Sequence, residues 1–486
     1  MKRLFRHFAT VTTVALLAAC AMGPDYERPE VPVPEGYQVS AIPGESFANM
    51  AWWEIFDDQE LIDLIETALV NNKQLAIAMA RIEEARATLG FTRAEQFPLL
   101  DGQAGASRGN TIPGQNVPGS INEQFILAAN LSYEVDLWGK LRRSTEAARA
   151  ELMATVQARN VVTITLISDV ASLYLLLLDL DARIEISRRT EATREDSLGI
   201  IQARFDKGIV PLIDVNQAEI ELGDARAESA QLVRQRGLAE NSLRVLLGRN
   251  PGPITRTSEG VESTLDLPEI PAGLPSELLE RRPDIRQTSQ ELAAQTARIG
   301  VAEALRFPSL SLTGSLGLAS DDLSGFLSSD NKVWGISANL FGPILDAGRN
   351  KARVEAEIAR TEQLISNYQL TVLTAFQEVE DALIEIQTFR DEAEAREAQV
   401  TSAQSAAMLS RARYDGGVTS YLEVLESERS LFRTELQASQ ARREQIVAIV
   451  SLYKALGGGW ATAEEIDEAG GFIEASMPPQ QSASNP

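Results

Sequence analysis

Residues Arg411-Ala-Arg-Tyr-Asp-Gly-Gly-Val-Thr-Ser-Tyr-Leu-Glu-Val-Leu-Glu426 read as a tight turn between two long helices, and the rest of the chain is organised around it. A close copy lies earlier: Arg204, Phe205, Asp206, Gly208, Ile209, Leu212, Ile213, Asp214 and Val215 stand 209 residues before Arg413, Tyr414, Asp415, Gly417, Val418, Tyr421, Leu422, Glu423 and Val424. A helical corner needs a residue that tolerates positive φ, so one glycine says little. A whole pattern repeated at one offset indicates a duplicated unit.

The copies extend on both sides of the turns. Gly300, Phe307, Pro308 and Leu310 follow Gly90, Phe97, Pro98 and Leu100 by 210 residues. Upstream, residues from Asp57 and from Leu75 to about Glu95 carry apolar groups at helical spacing, and Phe97-Pro98 stops that helix. Strand sequence follows, with Phe125, Leu127, Ala129, Leu131 and Tyr133 alternating with Ile126, Ala128, Asn130 and Ser132. Leu100 to Asn110 is a weaker, glycine-containing candidate, and Pro113 to Ser120 reads as the connecting loop. In the second copy Leu310, Leu312, Gly314, Leu316 and Leu318 face away from Ser309, Ser311, Thr313, Ser315 and Gly317, with Val333 to Phe341 as partner strand. A leucine face opposite a serine face suits a membrane barrel, with lipid on one side and water on the other; one hairpin of a soluble sandwich has the same periodicity.

Each hairpin runs into a long helix. No proline occurs between Gly119 and Val210 or between Ile344 and Met477. Ile365, Tyr368, Val372, Ala375, Val379, Leu383 and Ile386 form an unbroken three-and-four seam of the coiled-coil kind. A helix from Lys140 to about Phe205 would reach on the order of 100 Å. Leu173-Tyr-Leu-Leu-Leu-Leu178 is apolar, but Asp169, Asp179 and Asp181 bracket it, which predicts buried turns rather than a membrane span. Return helices follow from Leu212 to about Leu247 and from Tyr421 to about Leu456.

The expected organisation is a signal peptide at 1–19, a tether at 20–50, a first repeat at 51–253 with hairpin 99–137 and tip 204–214, and a linker at 254–275. A second repeat follows at 276–460 with hairpin 308–345 and tip 413–424, and then a tail at 461–486. The signal pattern rests on Lys2, Arg3 and Arg6, the apolar run from Val11 to Leu17, and Leu17-Ala-Ala-Cys20. A cysteine at this place resembles the bacterial lipobox, in which Cys20 becomes the acylated first residue, and Ala21 after it implies sorting to the outer membrane. Five prolines between Pro24 and Pro43 suit an extended tether.

Composition narrows the function. Cys20 is the only cysteine and His7 the only histidine, so the mature chain lacks internal disulfides, the usual general base and the usual soft metal ligands. No Gly-rich phosphate loop of the Lys-Ser/Thr type is present. Neither an enzyme, a cofactor nor a metal site is expected. The formal charge of −24 becomes −27 once Lys2, Arg3 and Arg6 are removed, which argues against nucleic acid as a partner. Four strands cannot close a barrel in lipid, because open edges leave backbone groups unpaired; other copies of the chain are needed.

The chain resembles the outer-membrane factor family, in the lipoprotein branch found with resistance-nodulation-division efflux pumps. The resemblance rests on Leu274-Pro-Ser-Glu-Leu-Leu-Glu-Arg-Arg-Pro-Asp-Ile-Arg286 continuing through Ala297-Arg-Ile-Gly300 to Arg306-Phe-Pro-Ser-Leu-Ser-Leu-Thr-Gly314. Gly23-Pro-Asp-Tyr-Glu-Arg-Pro29, Tyr133-Glu-Val-Asp-Leu-Trp-Gly139 and Tyr453-Lys-Ala-Leu-Gly-Gly-Gly-Trp460 add to it. It implies a mainly α fold with a membrane β-barrel: a homotrimer whose hairpins make one 12-stranded β-barrel, continued by a periplasmic α-helical barrel. It further implies a passive exit duct of a tripartite efflux pump in a Gram-negative outer membrane, partnered by a periplasmic adaptor protein and an inner-membrane pump. A duct for type I protein secretion shares this fold; a lipid-anchored coiled-coil spacer without a pore is the reading from another class.

Glu423 and Glu426, three residues apart, share a helix face, and three copies would make carboxylate rings that favour cations. The resemblance places them at the periplasmic constriction, with Tyr414 at the gate tyrosine and Asp214 at the acid of the neighbouring hairpin. The position expected for an arginine partner of Asp214 is Thr419, so that ion pair is absent; Tyr414 hydrogen bonds or packing at Val418 are the remaining ways to hold a closed state. The tips, with Asp206, Gly208, Asp415 and Gly417, are the expected adaptor contacts.

Overall fold

The computed structural model describes residues 21–34, 36–38, 58–112, 115–256 and 278–458. The expected signal peptide, Cys20, residues 39–50 of the tether, the linker from 257 and the tail from 461 lie outside the described residues. The chain divides into two compact units, each assembled from separated stretches. One holds Ala80–Gln157, Arg286–Thr371 and the segment ending at Val31; the other holds Pro32–Met79, Ala158–Ile285 and the chain from Val372.

Four strands make the sheet of the first unit: β1 (Leu99–Ile112), β2 (Gln115–Val135), β3 (Ser309–Ser320) and β4 (Lys332–Phe341). All neighbours are antiparallel in the order β1-β2-β3-β4. The central pair therefore joins the two repeats, with Leu131 opposite Gly314 and Tyr133 opposite Leu312. Register fixes the faces. Leu100, Leu131, Leu316, Trp334 and Ile336 project to one side, all exposed in the chain. Asp101, Asn130, Ser132, Thr313 and Ser337 lie on the other, where Asn130 donates to Asp101 and the Thr313 and Ser337 hydroxyls lie 2.6 Å apart. Among the described residues the outer edges of β1 and β4 have no strand partner. The expected loop at Pro113 to Ser120 is corrected in part: from Gln115 the chain is already strand. Pairing continues to Ile112 opposite Gln115 through two register shifts, and an irregular ladder tolerates Pro118, which lacks an N–H to donate.

Two long helices start beside this sheet in the same way. Asp136 accepts from the backbone N–H groups of Leu141 and Arg142 at 3.1 and 3.0 Å and caps α3 (Lys140–Asp206); Asp346 accepts from those of Gly348 and Asn350, both at 3.0 Å, and caps α7 (Arg349–Asp415). Such side-chain caps satisfy donors that the first helical turn leaves free. Between them in sequence come α4 (Leu212–Leu246), α5 (Leu278–Arg281) and α6 (Pro283–Ala304). The N-terminal segment is strapped to α6 by paired glycines: a Cβ on Gly300 would lie 2.4 Å from the Met22 carbonyl oxygen, and one on Gly23 (φ +90°) 2.4 Å from Gly300 Cα. Arg143 of α3 holds the strap, donating to the Met22 carbonyl at 3.0 Å and to Asp25 at 2.8 Å.

In the second unit, α1 (Gln59–Asn71) is capped by Asp58, which also accepts from the Tyr174 hydroxyl at 2.7 Å. The single upstream helix expected to Glu95 is corrected to two. Asn72 leaves helical geometry (ψ 132°), closes α1 with its N–H on Ala68, and opens α2 (Lys73–Ala94) by accepting from Leu75 N–H at 3.0 Å. One asparagine serves as both caps, a use of its short polar arm that periodicity does not register.

α3 and α7 each run 67 residues, α4 and α8 (Tyr421–Ala455) each 35. The core of this unit joins Leu61 and Ile65, the Leu166–Ile184 stretch, Leu232, Leu243, Val379, Ile446 and Leu452. Tyr174, Leu175 and Leu177 are wholly buried in it. By length and composition α3 alone among the described helices could cross a membrane, but 56 % of its apolar window is buried within the chain. Asp179, equally buried, accepts from the Ser439 hydroxyl at 2.6 Å.

Candidate functional site at the helical turns

Both turns end their helix by the same device. At the first, Gly208 takes φ +71°, its N–H reaches the Phe205 carbonyl at 2.8 Å, and the Ile209 N–H reaches Arg204 at 3.0 Å. At the second, Gly417 takes φ +71°, its N–H reaches Tyr414 at 3.0 Å, and the Val418 N–H reaches Arg413 at 2.9 Å. This left-handed cap with a six-residue backbone hydrogen bond satisfies the last carbonyls of α3 and α7. A Cβ on either glycine would meet nothing within 4 Å, so the requirement is conformational, not steric.

Beneath the turns the two helical hairpins share one apolar cluster: Ile201 from α3, Val215 and Ala218 from α4, and Tyr421, Val424 and Leu425 from α8, with Phe205 and Tyr414 packed against it. The rings of Tyr414 and Tyr421 are 5.4 Å apart, and the Arg204 guanidinium lies 4.9 Å over the Tyr414 ring. The Tyr414 hydroxyl is buried without a hydrogen-bond partner, and burial pushes the Tyr421 phenol up to about 12.

Charge distinguishes the two copies. Asp415 pairs with Arg204 of the first hairpin at 3.5 Å and with Arg411 of its own helix at 3.8 Å; Asp206 only accepts from Gln202 at 2.9 Å. Glu423 and Glu426 do share a face, 42 % and 66 % exposed, yet neither stands alone. Glu423 pairs with Arg413 at 3.5 Å and accepts from the Thr419 hydroxyl, while Glu426 pairs with Arg429 at 3.5 Å. Asp214 has no salt bridge among the described residues, and desolvation raises its pKa. Val418 is 72 % exposed.

Further along these helices lies a buried ion network that apolar spacing does not announce. Glu221 of α4 and Arg194 of α3, each 4 % exposed, meet at 3.1 Å, and Arg429 of α8 donates to Glu221 from the other side. Burial lowers the Arg194 pKa despite its partner, whereas Arg429, half exposed, is raised by the Glu221 carboxylate. Glu428, raised by burial, pairs with Arg411 at 3.6 Å, and Arg411 donates to the Ser197 hydroxyl at 3.0 Å. The signal was available: Glu221 continues the spacing of Val215, Ala218 and Leu222 on the buried face of α4. An acid in that register needs a buried cation.

The arrangement offers paired charges, packed aromatics and two glycine corners. No group of three or more His, Cys, Asp and Glu suited to a metal ion occurs among the described residues.

The model of the family described as outer membrane efflux protein matches residues 64–249 and 274–458. The cation efflux system protein CusC of Escherichia coli is 33 % identical over 451 residues, covering 91 % of this chain and 96 % of CusC. The solvent efflux pump outer membrane protein SrpC of Pseudomonas putida is 34 % identical over 460 residues, covering 92 % and 97 %. Among solved structures, the Campylobacter jejuni CmeC outer membrane channel superposes with a TM-score of 0.84 at 27 % identity, over 96 % of this chain and all of that one.

Proposed function

Because the chain belongs to the outer membrane efflux protein family and is the outer-membrane channel component of an efflux system, we propose that it works as a homotrimeric passive duct, gated at its helical turns. The observation that carries this reading is the four-stranded sheet with an apolar face, a polar face and two edges that have no strand partner among the described residues. Unpaired backbone in lipid costs several kcal/mol per group, so the edge of β4 in one copy pairs with β1 of another; closure by itself requires more than one copy, and the family resemblance implies that three copies make a 12-stranded barrel.

The anchor is Cys20, exposed when a signal peptide at 1–19 is removed; its neighbour Ala21 is seated against Gly139, and the Met22 N–H reaches the Trp138 carbonyl at 3.1 Å. Residues 20–50 then form the tether, 51–253 and 276–460 the two repeats joined by a linker at 254–275, and 461–486 the tail. The turns lie in the periplasm. Asp206, Gly208, Asp415 and Gly417 present the surface for a periplasmic adaptor that couples the duct to an energised inner-membrane pump. Glu423, Glu426, Asp214 and Tyr414 form the constriction. Since Glu423 and Glu426 each hold an arginine, the carboxylate rings are partly neutralised within each copy. The Tyr414 hydroxyl, buried and without a hydrogen-bond partner among the described residues, is the group at this turn left to bond across copies.

Planar-bilayer recording on the purified protein, with its mass measured by light scattering in detergent, tests the reading. Discrete conductance from a trimer is expected; a monomer without conductance refutes it.

A further inference from the structure

The two repeats meet inside the first unit, where the short helix α6 lies between two long ones. On one side it touches α7 of its own repeat: Gln295 donates to the Glu357 carboxylate at 2.7 Å, and Asn350 donates to the Leu305 carbonyl at 3.3 Å. On the other it touches α3 of the first repeat: Arg298 pairs with Glu151, and a Cβ on Gly300 would lie 2.9 Å from Arg143 Cγ. The counterpart of α6 is α2, of the same 22-residue length and 210 residues earlier. It has a neighbour of the first kind, since Gln96 just beyond it donates to the Leu141 carbonyl at 3.3 Å and to the Thr145 hydroxyl at 2.5 Å on α3 of its own repeat. The second kind is missing. A Cβ on Gly90, the counterpart of Gly300, would meet nothing within 4 Å.

Two helix faces are left over in this way. Arg143, Ala147, Ala150 and Ala154 share the buried face of α3 that meets α6, whereas their counterparts 209 residues on, Ala352, Ala356, Ala359 and Gln363 of α7, are all exposed. Ala297, Gly300 and Ala304 are buried on α6, and their counterparts Ala87, Gly90 and Ala94 on α2 are exposed. The exposed faces carry the same small side chains that let α6 and α3 approach closely.

The sheet shows where the missing neighbours come from. Within the chain, pairing of β2 with β3 sets α3, which follows β2, beside α6, which precedes β3. The two edge strands repeat that relation: α2 precedes β1, and α7 follows β4. Pairing β4 of one copy with β1 of another therefore sets α7 beside the other copy's α2, with the same antiparallel sense.

We infer that α2 of one copy packs on α7 of the next as α6 packs on α3 within the chain, with Ala87 and Gly90 against Ala352 and Ala356. The inference rests on the proposed closure of the sheet by several copies. Charge fits the match. The counterpart of Glu151 is Arg360, and Glu84 lies one turn from Thr88, the counterpart of Arg298. Glu84 makes no salt bridge among the described residues, and Arg360, 61 % exposed, holds only Glu357 of its own helix at 2.6 Å. The pair across copies is thus the reverse of the pair within the chain: acid on the short helix, guanidinium on the long one.

The test is oxidation of full-length A87C/A356C in detergent, followed by non-reducing electrophoresis. A ladder of covalently linked copies is expected, absent from A87C or A356C alone. A147C/A297C, the same contact within the chain, should close inside one copy and give no ladder. A protein that light scattering finds trimeric and that conducts in bilayers, yet gives no A87C/A356C ladder, overturns this contact and leaves the duct reading standing; a monomer overturns both. E84R and R360E should each weaken assembly on dilution about fivefold per contact, the scale of one solvent-touching ion pair, and E84R/R360E should restore it. A double variant that assembles no better than either single one overturns the pairing of these two residues.

Discussion

Replacing Glu221 with leucine should loosen the turn end of the helical hairpins far more than replacing its exposed partner. Glu221 and Arg194 are each 4 % exposed, whereas Arg429 is 51 % exposed. Loss of Glu221 leaves the Arg194 guanidinium buried without its ion-pair partner, compensated by the Phe432 ring 5.1 Å away and by the longer-range attraction of Glu428 and Asp224. Breaking a buried pair on one side costs about 3–5 kcal/mol. Arg429→Met removes only a half-exposed arm, and screening by solvent holds that loss to about 0–1 kcal/mol. The paired replacement Arg194→Met/Glu221→Leu removes both buried charges and their desolvation cost, so it should lie within about 2 kcal/mol of the wild type. Amide hydrogen exchange over residues 190–225 in the detergent-solubilised protein reads these differences as local opening, each 1.4 kcal/mol being about tenfold in rate. The single Glu221 variant should exchange about a hundred to a few thousand times faster, and the pair little faster than wild type. If Arg429→Met accelerates exchange as much as Glu221→Leu, or the pair is as fast as the single variant, the network is not held together by buried charge.

Gly208→Ala and Gly417→Ala should each cost about 1 kcal/mol, and equally, because both glycines share φ +71° and neither has a neighbour for a Cβ to strike; unequal protection of the two turns against limited proteolysis would show that one corner is held by something else. Glu423→Gln/Glu426→Gln should lower the preference for cations in reversal-potential measurements, and Arg413→Gln, which unmasks Glu423, should raise it; unchanged selectivity in both removes the constriction from these residues. Glu428→Gln should stabilise the protein at pH 7 and not at pH 4. Burial raises the folded-state pKa of Glu428 above the ordinary 4.5, so between those values the folded state binds the extra proton and stability falls as pH rises. A denaturation midpoint that rises equally at both pH values would count against that cause. Charge reversal at Asp415 should impair adaptor crosslinking more than reversal at Asp206, since Asp415 also carries the link to Arg204 of the first hairpin; the opposite order would assign the docking surface to the first turn.

The parts that were legible in the sequence are those whose signal is periodic or duplicated. Helices of 67 and 35 residues declare themselves by unbroken seams, and each turn confirms the other because Gly208 and Gly417 recur in matched surroundings. What periodicity could not carry is pairing at a distance. Asn72 breaks a helix by capping in both directions, which a window of apolar spacing averages away. Likewise Gly23 and Gly300 are required by each other across the strap, and only coordinates bring residues so far apart in sequence into one contact. Glu423 and Glu426 show the same limit in its sharpest form. Glu423 and Glu426 read as bare carboxylates because three-residue spacing exposes a helix face, but the sign of a site depends on what approaches that face. Arg413 reaches Glu423 across the turn, and Arg429 is shared between exposed Glu426 and buried Glu221. A change in the buried network therefore alters the charge presented at the surface: when Glu221 is lost, Arg429 keeps its ion pair with Glu426 and the longer-range attraction of Asp224, and the net negative charge presented at Glu426 falls although neither residue has been changed.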